Sequence, residues 1–370
     1  MATRSRELRQ NLPALVAGLT VAVVFLAVLG IVLAAAGPRG LGLPDRQTSG
    51  WIALVYGLPM IPSLVLTLRY RMPLLLTGNV FALIFFVTLG DRVTFAELVG
   101  ASMLAGAILL VTAILGLTGQ LARWIPVPIV HGMIAGAVMP FVVDVFSALR
   151  TSDGEWRVAM MVGAAVVGYL VGQRVLGTRL PPILPAFLAG CLAALLTGQL
   201  GEFPSAFSLP AFDVVRPAFS VAAIATVAPV LLALMTVQSN VPSVVYLRDQ
   251  GYRPPARIIN LVCGGGTLLG SLFGPVAVSL ALPPVLVTAG PSAGDRLLRY
   301  RSIFLPVAAG LVIALLAVVA ADLALLIPPV LLLAIAGLAL VPALVAAIRE
   351  ISAGPLVLGP CSRSRSRSRT

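Results

Sequence analysis

Phe273-Gly274-Pro275-Val276-Ala277-Val278-Ser279-Leu280-Ala281-Leu282-Pro283-Pro284-Val285-Leu286-Val287-Thr288-Ala289-Gly290 decides how the rest of the chain is read. It is apolar enough for a bilayer, yet three prolines interrupt it and its first half carries the β-branched Val276 and Val278. A spanning helix needs about 20 continuous apolar residues. Non-helical backbone at membrane depth survives only where it is buried in protein or lines a cavity. The stretch therefore reads as a broken span at a binding site, and it should have a partner elsewhere in the chain.

The surroundings fit a membrane. Of 370 residues, 59% are hydrophobic and only 10% charged, with a mean hydropathy of +1.06. Soluble domains carry about 25% charged residues. The first apolar run continues to Ala36, too long for a signal-peptide core, and is expected to be retained as a span. All 25 basic residues are Arg. They lie scattered between apolar spans, so the net charge of +12 reflects topology and no nucleic-acid partner is expected. Cys191, Cys263 and Cys361 lack metal-ligand spacing, and the first two read as small packing residues. Neither a metal nor another cofactor is expected.

Apolar segments fall near 12–36, 50–68, 73–89, 95–119, 125–149, 157–176, 181–199, 218–237, 257–273, 274–290, 302–322 and 326–348. Assigning the loops alternately to two sides puts fifteen arginines and four acids on one side, against six and nine on the other. Arginine bias sets orientation. It predicts twelve crossings with a cytoplasmic N-terminus, in an inner (plasma) membrane.

The chain also repeats. Ile125-Pro126-Val127-Pro128 precedes Ala135-Gly136 and Pro140; Ile327-Pro328-Pro329 precedes Ala336-Gly337 and Pro342. The outer prolines are fourteen apart in both copies. These are segments 5 and 12, and an offset of seven inverts one copy in the membrane. Segment 10, quoted above, then answers to segment 3, Pro73-Leu74-Leu75-Leu76-Thr77-Gly78-Asn79-Val80-Phe81. Interrupted segments at matching positions of two halves point to a transporter site. Both should be extended at first and helical afterwards, from near Asn79 and near Ser279. Pro283 and Pro284 would fall by the first turn, where a missing N–H costs least. Two positive helix ends would then converge at the midplane.

Seven plus seven makes fourteen segments, two more than are present. The chain ends in Cys361-Ser362-Arg363-Ser364-Arg365-Ser366-Arg367-Ser368-Arg369-Thr370. One reading is a disordered Arg-Ser tail. The other is a frameshift, because Leu-Phe-Ala-Phe-Ala-Ile-Ala in GC-rich codons becomes Cys-Ser-Arg-Ser-Arg-Ser-Arg when its first base is dropped. On that reading a truncated, non-functional product is an alternative outcome.

Few polar residues can carry chemistry. Gln238, Ser239 and Asn240 cluster at the end of segment 8, either as ligand-facing groups or as interhelical hydrogen-bonding residues and a helix stop before Pro242. Thr77, Gly78, Asn79 and Ser279 pair across the repeat. His131, the only histidine, is a proton-coupling candidate or a packed side chain. Asp144, Asp322 and Glu97 lie near span ends and read as interfacial. Gly264-Gly265-Gly266 reads as close helix packing. No nucleophile–base pair or catalytic residue appears, so an enzyme is not expected.

Asn240-Val241-Pro242 followed by Leu247-Arg248-Asp249-Gln250-Gly251-Tyr252-Arg253-Pro254-Pro255 resembles the loop after segment 8 of the benzoate/proton symporter family. Gly274 through Ala281 stands where that family has Gly-Gly-His-Ala-Ile-Asn-Leu-Ala. Its His is Val276 here, its Asn is Ser279, and its Ser-Gln-Asn order reads Gln238-Ser239-Asn240. The resemblance implies an all-α polytopic fold with a 7+7 inverted repeat, shared with uracil permeases and sulfate-type anion transporters. It implies core-domain parts at 1–120 and 218–322, gate-domain parts at 121–200 and 323–360, and the tail at 361–370. A secondary transporter of a small organic anion follows, aromatic carboxylates such as benzoate first, proton-coupled, in the lipid bilayer and as a homodimer. An inorganic anion or a nucleobase is the alternative substrate. The backbone of Gly78, Asn79 and Ser279 would hold the carboxylate, Gln238, Ser239 and Asn240 would orient it, and Phe81 would pack on a ring.

Overall fold

The computed structural model describes residues 2–36, 41–89, 92–117, 139, 143, 156–176, 182–200, 209–328 and, with gaps, 330–349. His131, Asp144, the proline pairs of segment 5 and the Arg-Ser tail lie outside the described residues.

Helix α1 spans Ala2–Ala36, and α2 (Asp45–Gly57) and α3 (Met60–Tyr70) form one crossing interrupted at Leu58-Pro59. Strand β1 (Leu76–Gly78) leads into α4 (Val80–Leu89), and α5 covers Phe95–Ile114. Thr94 and Glu97 close a capping box at the start of α5, satisfying two amides that the helix leaves unpaired. Helices α6 (Trp156–Val171) and α7 (Ile183–Leu196) follow. Helix α8 (Val221–Met235) then widens into a π turn (Thr236–Asn240) and continues as α9 (Val241–Asp249). After α10 (Ala256–Gly270) come β2 (Val278–Leu280), α11 (Leu282–Ala289), α12 (Phe304–Leu315) and α13 (Ala317–Leu326). Five helical runs among the described residues are long and apolar enough to cross a bilayer.

One of the readings of segment 8, a helix stop before Pro242, does not hold. The helical run reaches Asp249 and is 29 residues long. Pro242 falls at the start of α9, just after the π turn, where its missing N–H breaks no regular α-helical bond.

The quoted stretch is broken as its prolines predict. Helix α11 begins at Leu282, with proline at its first positions. Ahead of it, β2 pairs antiparallel with β1: Leu76 faces Leu280, Thr77 faces Ser279 and Gly78 faces Val278. Extended backbone inside a bilayer must find partners for every N–H and C=O, and each broken segment supplies them for the other. The strands begin 202 residues apart (76 and 278), as do α4 and α11 (80 and 282). The outer prolines at 126 and 328 carry the same spacing.

Helices α5 and α10 approach closely through glycine. A Cβ on Gly264 would lie 2.6 Å from the Leu110 amide nitrogen, and one on Gly106 would lie 2.7 Å from that of Leu268. Such close contact drives helix association where lipid removes the hydrophobic incentive. Buried apolar side chains form two clusters. One joins α1–α5 to α8–α13 around the strand pair, with Trp51, Leu76, Phe86 and Leu280 fully buried. The other joins α6 and α7 to Leu331, Ala334, Ile335 and Leu338, and touches α1 at Val23.

Charge separates along the 26-residue span Asp45–Tyr70. At its start Arg46 pairs with Asp213 at 3.0 Å. At its end Arg71 Nη1 donates to Tyr300 Oη (2.7 Å), and Arg301 donates to both Tyr300 Oη and Asn11 Oδ1. Hydrogen bonding from Arg301, with the charge of Arg71 and Arg301 beside it, holds the Tyr300 phenol below its ordinary pKa.

Candidate functional site

A cavity opens where the two broken segments cross. Its floor is polar: Thr77, Gly78, Asn79, Ser239 and Ser279. Its walls are apolar, from Val24, Phe25 and Val28 of α1, Val55, Tyr56 and Met60 of the second crossing, Phe81 of α4, and Pro283 and Pro284 of α11. Among the described residues, no arginine, histidine or carboxylate lines it.

The floor is held by committed hydrogen bonds. Asn79 caps α4: its Oδ1 accepts from the amides of Phe81 (3.0 Å) and Ala82 (3.2 Å). Its Nδ2 donates to Ser279 Oγ (3.1 Å) and to the Leu234 carbonyl beside the π turn (3.2 Å). Its own amide donates to the Ala277 carbonyl (2.7 Å). Ser239 Oγ lies 3.0 Å from Ser279 Oγ and 2.9 Å from the Leu280 carbonyl. Ser239 has one proton for two acceptors, so the Ser279 hydroxyl proton is free to turn to Ser239 or into the cavity.

The edges of the strand pair show which amides remain. Asn79 donates to Ala277 and Ala281 to Leu75, so by antiparallel alternation Thr77 and Ser279 exchange both their bonds. The amides of residues 76, 78, 278 and 280 then point outward. Ser63 Oγ accepts from Leu76 (2.8 Å), Thr267 Oγ1 from Val278 (2.8 Å) and Asn240 Oδ1 from Leu280 (2.7 Å). Gly78 has no such partner among the described residues, and Gly78 lines the cavity. The first-turn amides of Val80 and Leu282, both lining residues, are likewise uncommitted. A buried N–H normally has a partner. Three amides unpaired among the described residues, at two helix N-termini and without a described cation in the lining, suit one negative charge.

The sequence candidates therefore separate. Thr77, Gly78, Asn79, Phe81, Ser239 and Ser279 come together on the cavity. Asn240 stands behind the floor, donating to Asn260 Oδ1 (2.8 Å) while it caps Leu280. Gln238 is not among the lining residues, and its Oε1 is buried without a partner among the described residues. Val276 is buried away from the cavity too. His131 lies outside the described residues. Phe25, Tyr56 and Met60 are lining residues that sequence reading missed. For Tyr56 a signal existed: a phenol in mid-span must find a hydrogen-bond partner, and it donates to the Phe25 carbonyl at 2.7 Å.

A family model described as benzoate membrane transport protein (BenE) matches residues 9–353. The chain belongs to the benzoate membrane transport protein family. Within that family it is 25% identical over 303 residues to a benzoate membrane transport protein of Acinetobacter baylyi, covering 81% of this chain and 74% of that one. It is also 26% identical over 255 residues to the inner membrane protein YdcO of Escherichia coli, covering 68% of this chain. That match spans 62% of YdcO, less than two thirds of its length. The transmembrane domain of a cyanobacterial bicarbonate transporter, BicA, superposes with a TM-score of 0.57 at 18% identity, covering 92% of this chain and 89% of that one. SLC26A9 gives 0.51 at 12% identity, covering 92% and 58%. This benzoate-transport family member thus has the BicA/SLC26 transmembrane fold and is a multi-pass membrane transporter, not an enzyme.

Proposed function

We propose that the protein is a secondary transporter of an aromatic monocarboxylate, benzoate first, driven by a proton gradient across the inner membrane. The observation that carries the reading is that Gly78, whose amide has no partner among the described residues, lines a cavity with apolar walls. The carboxylate sits over the crossing, taking hydrogen bonds from the amides of Gly78, Val80 and Leu282 and from Ser279 Oγ. Asn79 and Ser239 hold that floor in place, Asn240 supports it from behind, and Phe81 packs on the ring. Against the sequence expectation, the amides of Asn79 and Ser279 are occupied by the strand ladder and do not take part.

The strand pair and the shared 202-residue spacing favour an inverted repeat. A core (1–120 and 218–322) then moves against a gate (121–200 and 323–360), and a homodimer holds the assembly in the bilayer with the N-terminus cytoplasmic. Since no described carboxylate or histidine lines the cavity, coupling is assigned first to His131, which lies outside the described residues, or to the substrate itself.

Purified protein in proteoliposomes, offered labelled benzoate, sulfate and uracil with and without an inward proton gradient, tests this. Saturable benzoate uptake that rises with the gradient is expected. Sulfate or uracil uptake without benzoate would move the assignment to the other anions or to nucleobases. No uptake of any organic acid would remove it.

A further inference from the structure

Two guanidinium groups converge on one phenol at the end of the span Asp45–Tyr70. Arg71 Nη1 donates to Tyr300 Oη at 2.7 Å, and Arg301 Nε donates to the same oxygen at 3.3 Å. Both cations also lie over that ring, 5.0 and 5.8 Å from its centroid. Like charges this close repel, and a phenol oxygen supplies lone pairs but no charge to offset them. No described carboxylate pairs with either arginine; apart from Tyr300, Arg301 has only the neutral Asn11 Oδ1 as a described acceptor. At the opposite end of the same span Arg46 meets Asp213 at 3.0 Å. The arrangement is also held against a backbone preference. Arg71 closes α3 in the left-handed conformation (φ 53°), where glycine is the usual residue.

The pair stands at the membrane boundary. Arg71 follows directly on the apolar 26-residue span, and Arg301 lies just ahead of α12. An exposed apolar stripe runs into the span from each: Leu68, Val65 and Ile61 on α3, and Phe304, Leu311 and Leu315 on α12. The two helices pack against each other at Met60 and Gly310.

We infer that Arg71, Arg301 and Tyr300 form a binding site for the phosphate of an anionic phospholipid whose acyl chains lie along α3 and α12. A guanidinium has five donors, so each arginine keeps several for a ligand, and its fork matches two phosphate oxygens at once. Tyr300 Oη accepts from both arginines, which leaves its own proton to give to the same phosphate. The bound phosphate supplies the negative charge that the described side chains do not. None of the three residues lines the cavity, so the lipid site stands whatever substrate the protein carries.

Native mass spectrometry of the full chain, released from micelles holding equal amounts of dioleoylphosphatidylglycerol and dioleoylphosphatidylcholine, reads the site directly. The wild type should retain phosphatidylglycerol in preference to phosphatidylcholine. Arg71→Gln with Arg301→Gln should lower that preference roughly thirtyfold, and each single variant about fivefold. Arg157→Gln with Arg216→Gln removes the same charge elsewhere and should leave the preference unchanged. Inorganic phosphate at the concentration of the lipid should not displace it. The preference is a ratio taken on one folded species, so it does not depend on yield. Equal retention of the two lipids by the wild type, or an equal fall in both double variants, would overturn the inference. Displacement by inorganic phosphate would overturn it too, because the site would then hold a free anion.

Discussion

At the residue scale, the site depends on one glycine. A Cβ at Gly78 would come within 2.7 Å of Val55 Cγ1 and 3.2 Å of the Val55 carbonyl oxygen. Glycine there lets α2 lie against the strand and leaves the amide open to the cavity. Gly78→Ala is expected to abolish benzoate uptake while the protein still inserts, and Gly78→Ala with Val55→Ala to recover only part of it, because the backbone contact persists. Full activity of Gly78→Ala in the uptake assay would contradict this placement. Asn79 answers differently. Its amide group satisfies α4 and links the two halves, so Asn79→Leu should lose uptake and also lower the detergent melting temperature, since it leaves two first-turn amides uncapped. Thr77, Gly78, Asn79 and Ser279 were legible because polar residues in an apolar chain stand out. Phe25 was not, because an aromatic side chain in a span looks like a lipid-facing or packing residue until the helices are placed, and the phenol of Tyr56 signalled only that it needs a hydrogen-bond partner.

At the element scale, the broken segments were legible from Pro275, Pro283 and Pro284 and from the polar triplet at Thr77-Gly78-Asn79. Their pairing into a strand ladder was not, since three-residue strands carry no period of their own. The pairing follows from the need to satisfy extended backbone in lipid. Its two outer edges are served by Ser63 on the β1 side and by Thr267 and Asn240 on the β2 side, from three different helical runs. Removing one of these acceptors strands a buried amide, which costs about 1–3 kcal/mol. Thr267→Val should therefore lower thermal stability with little change in apparent benzoate affinity, because Thr267 supports the strand from behind and does not line the cavity. A large affinity loss with normal stability would place Thr267 in the site instead. The π turn was also hidden from the sequence. Gln-Ser-Asn ahead of Pro242 reads equally well as a stop, and only its packing on β2, with Ser239 and Ser243 both donating to the Leu280 carbonyl, keeps the helix going.

At the scale of the whole molecule, alternation of arginines predicts a sidedness in which Arg46 and Arg69, near opposite ends of the span Asp45–Tyr70, face opposite sides. In a background lacking Cys191, Cys263 and Cys361, cysteine at position 71 should react with an impermeant maleimide only in inside-out vesicles, and cysteine at 46 only in right-side-out ones. The reverse pattern would invert the topology. The two apolar clusters, one around the strand pair and one around α6 and α7, are the bodies proposed to move as core and gate. The central claim is that an apolar-walled cavity holds a monocarboxylate on the uncommitted amide of Gly78. The most direct measurement compares concentration-dependent uptake of labelled benzoate by the wild type and by Gly78→Ala in matched proteoliposomes. The account predicts saturable uptake by the wild type and none by the variant. Uptake by the variant that equals the wild type in rate and affinity would contradict it.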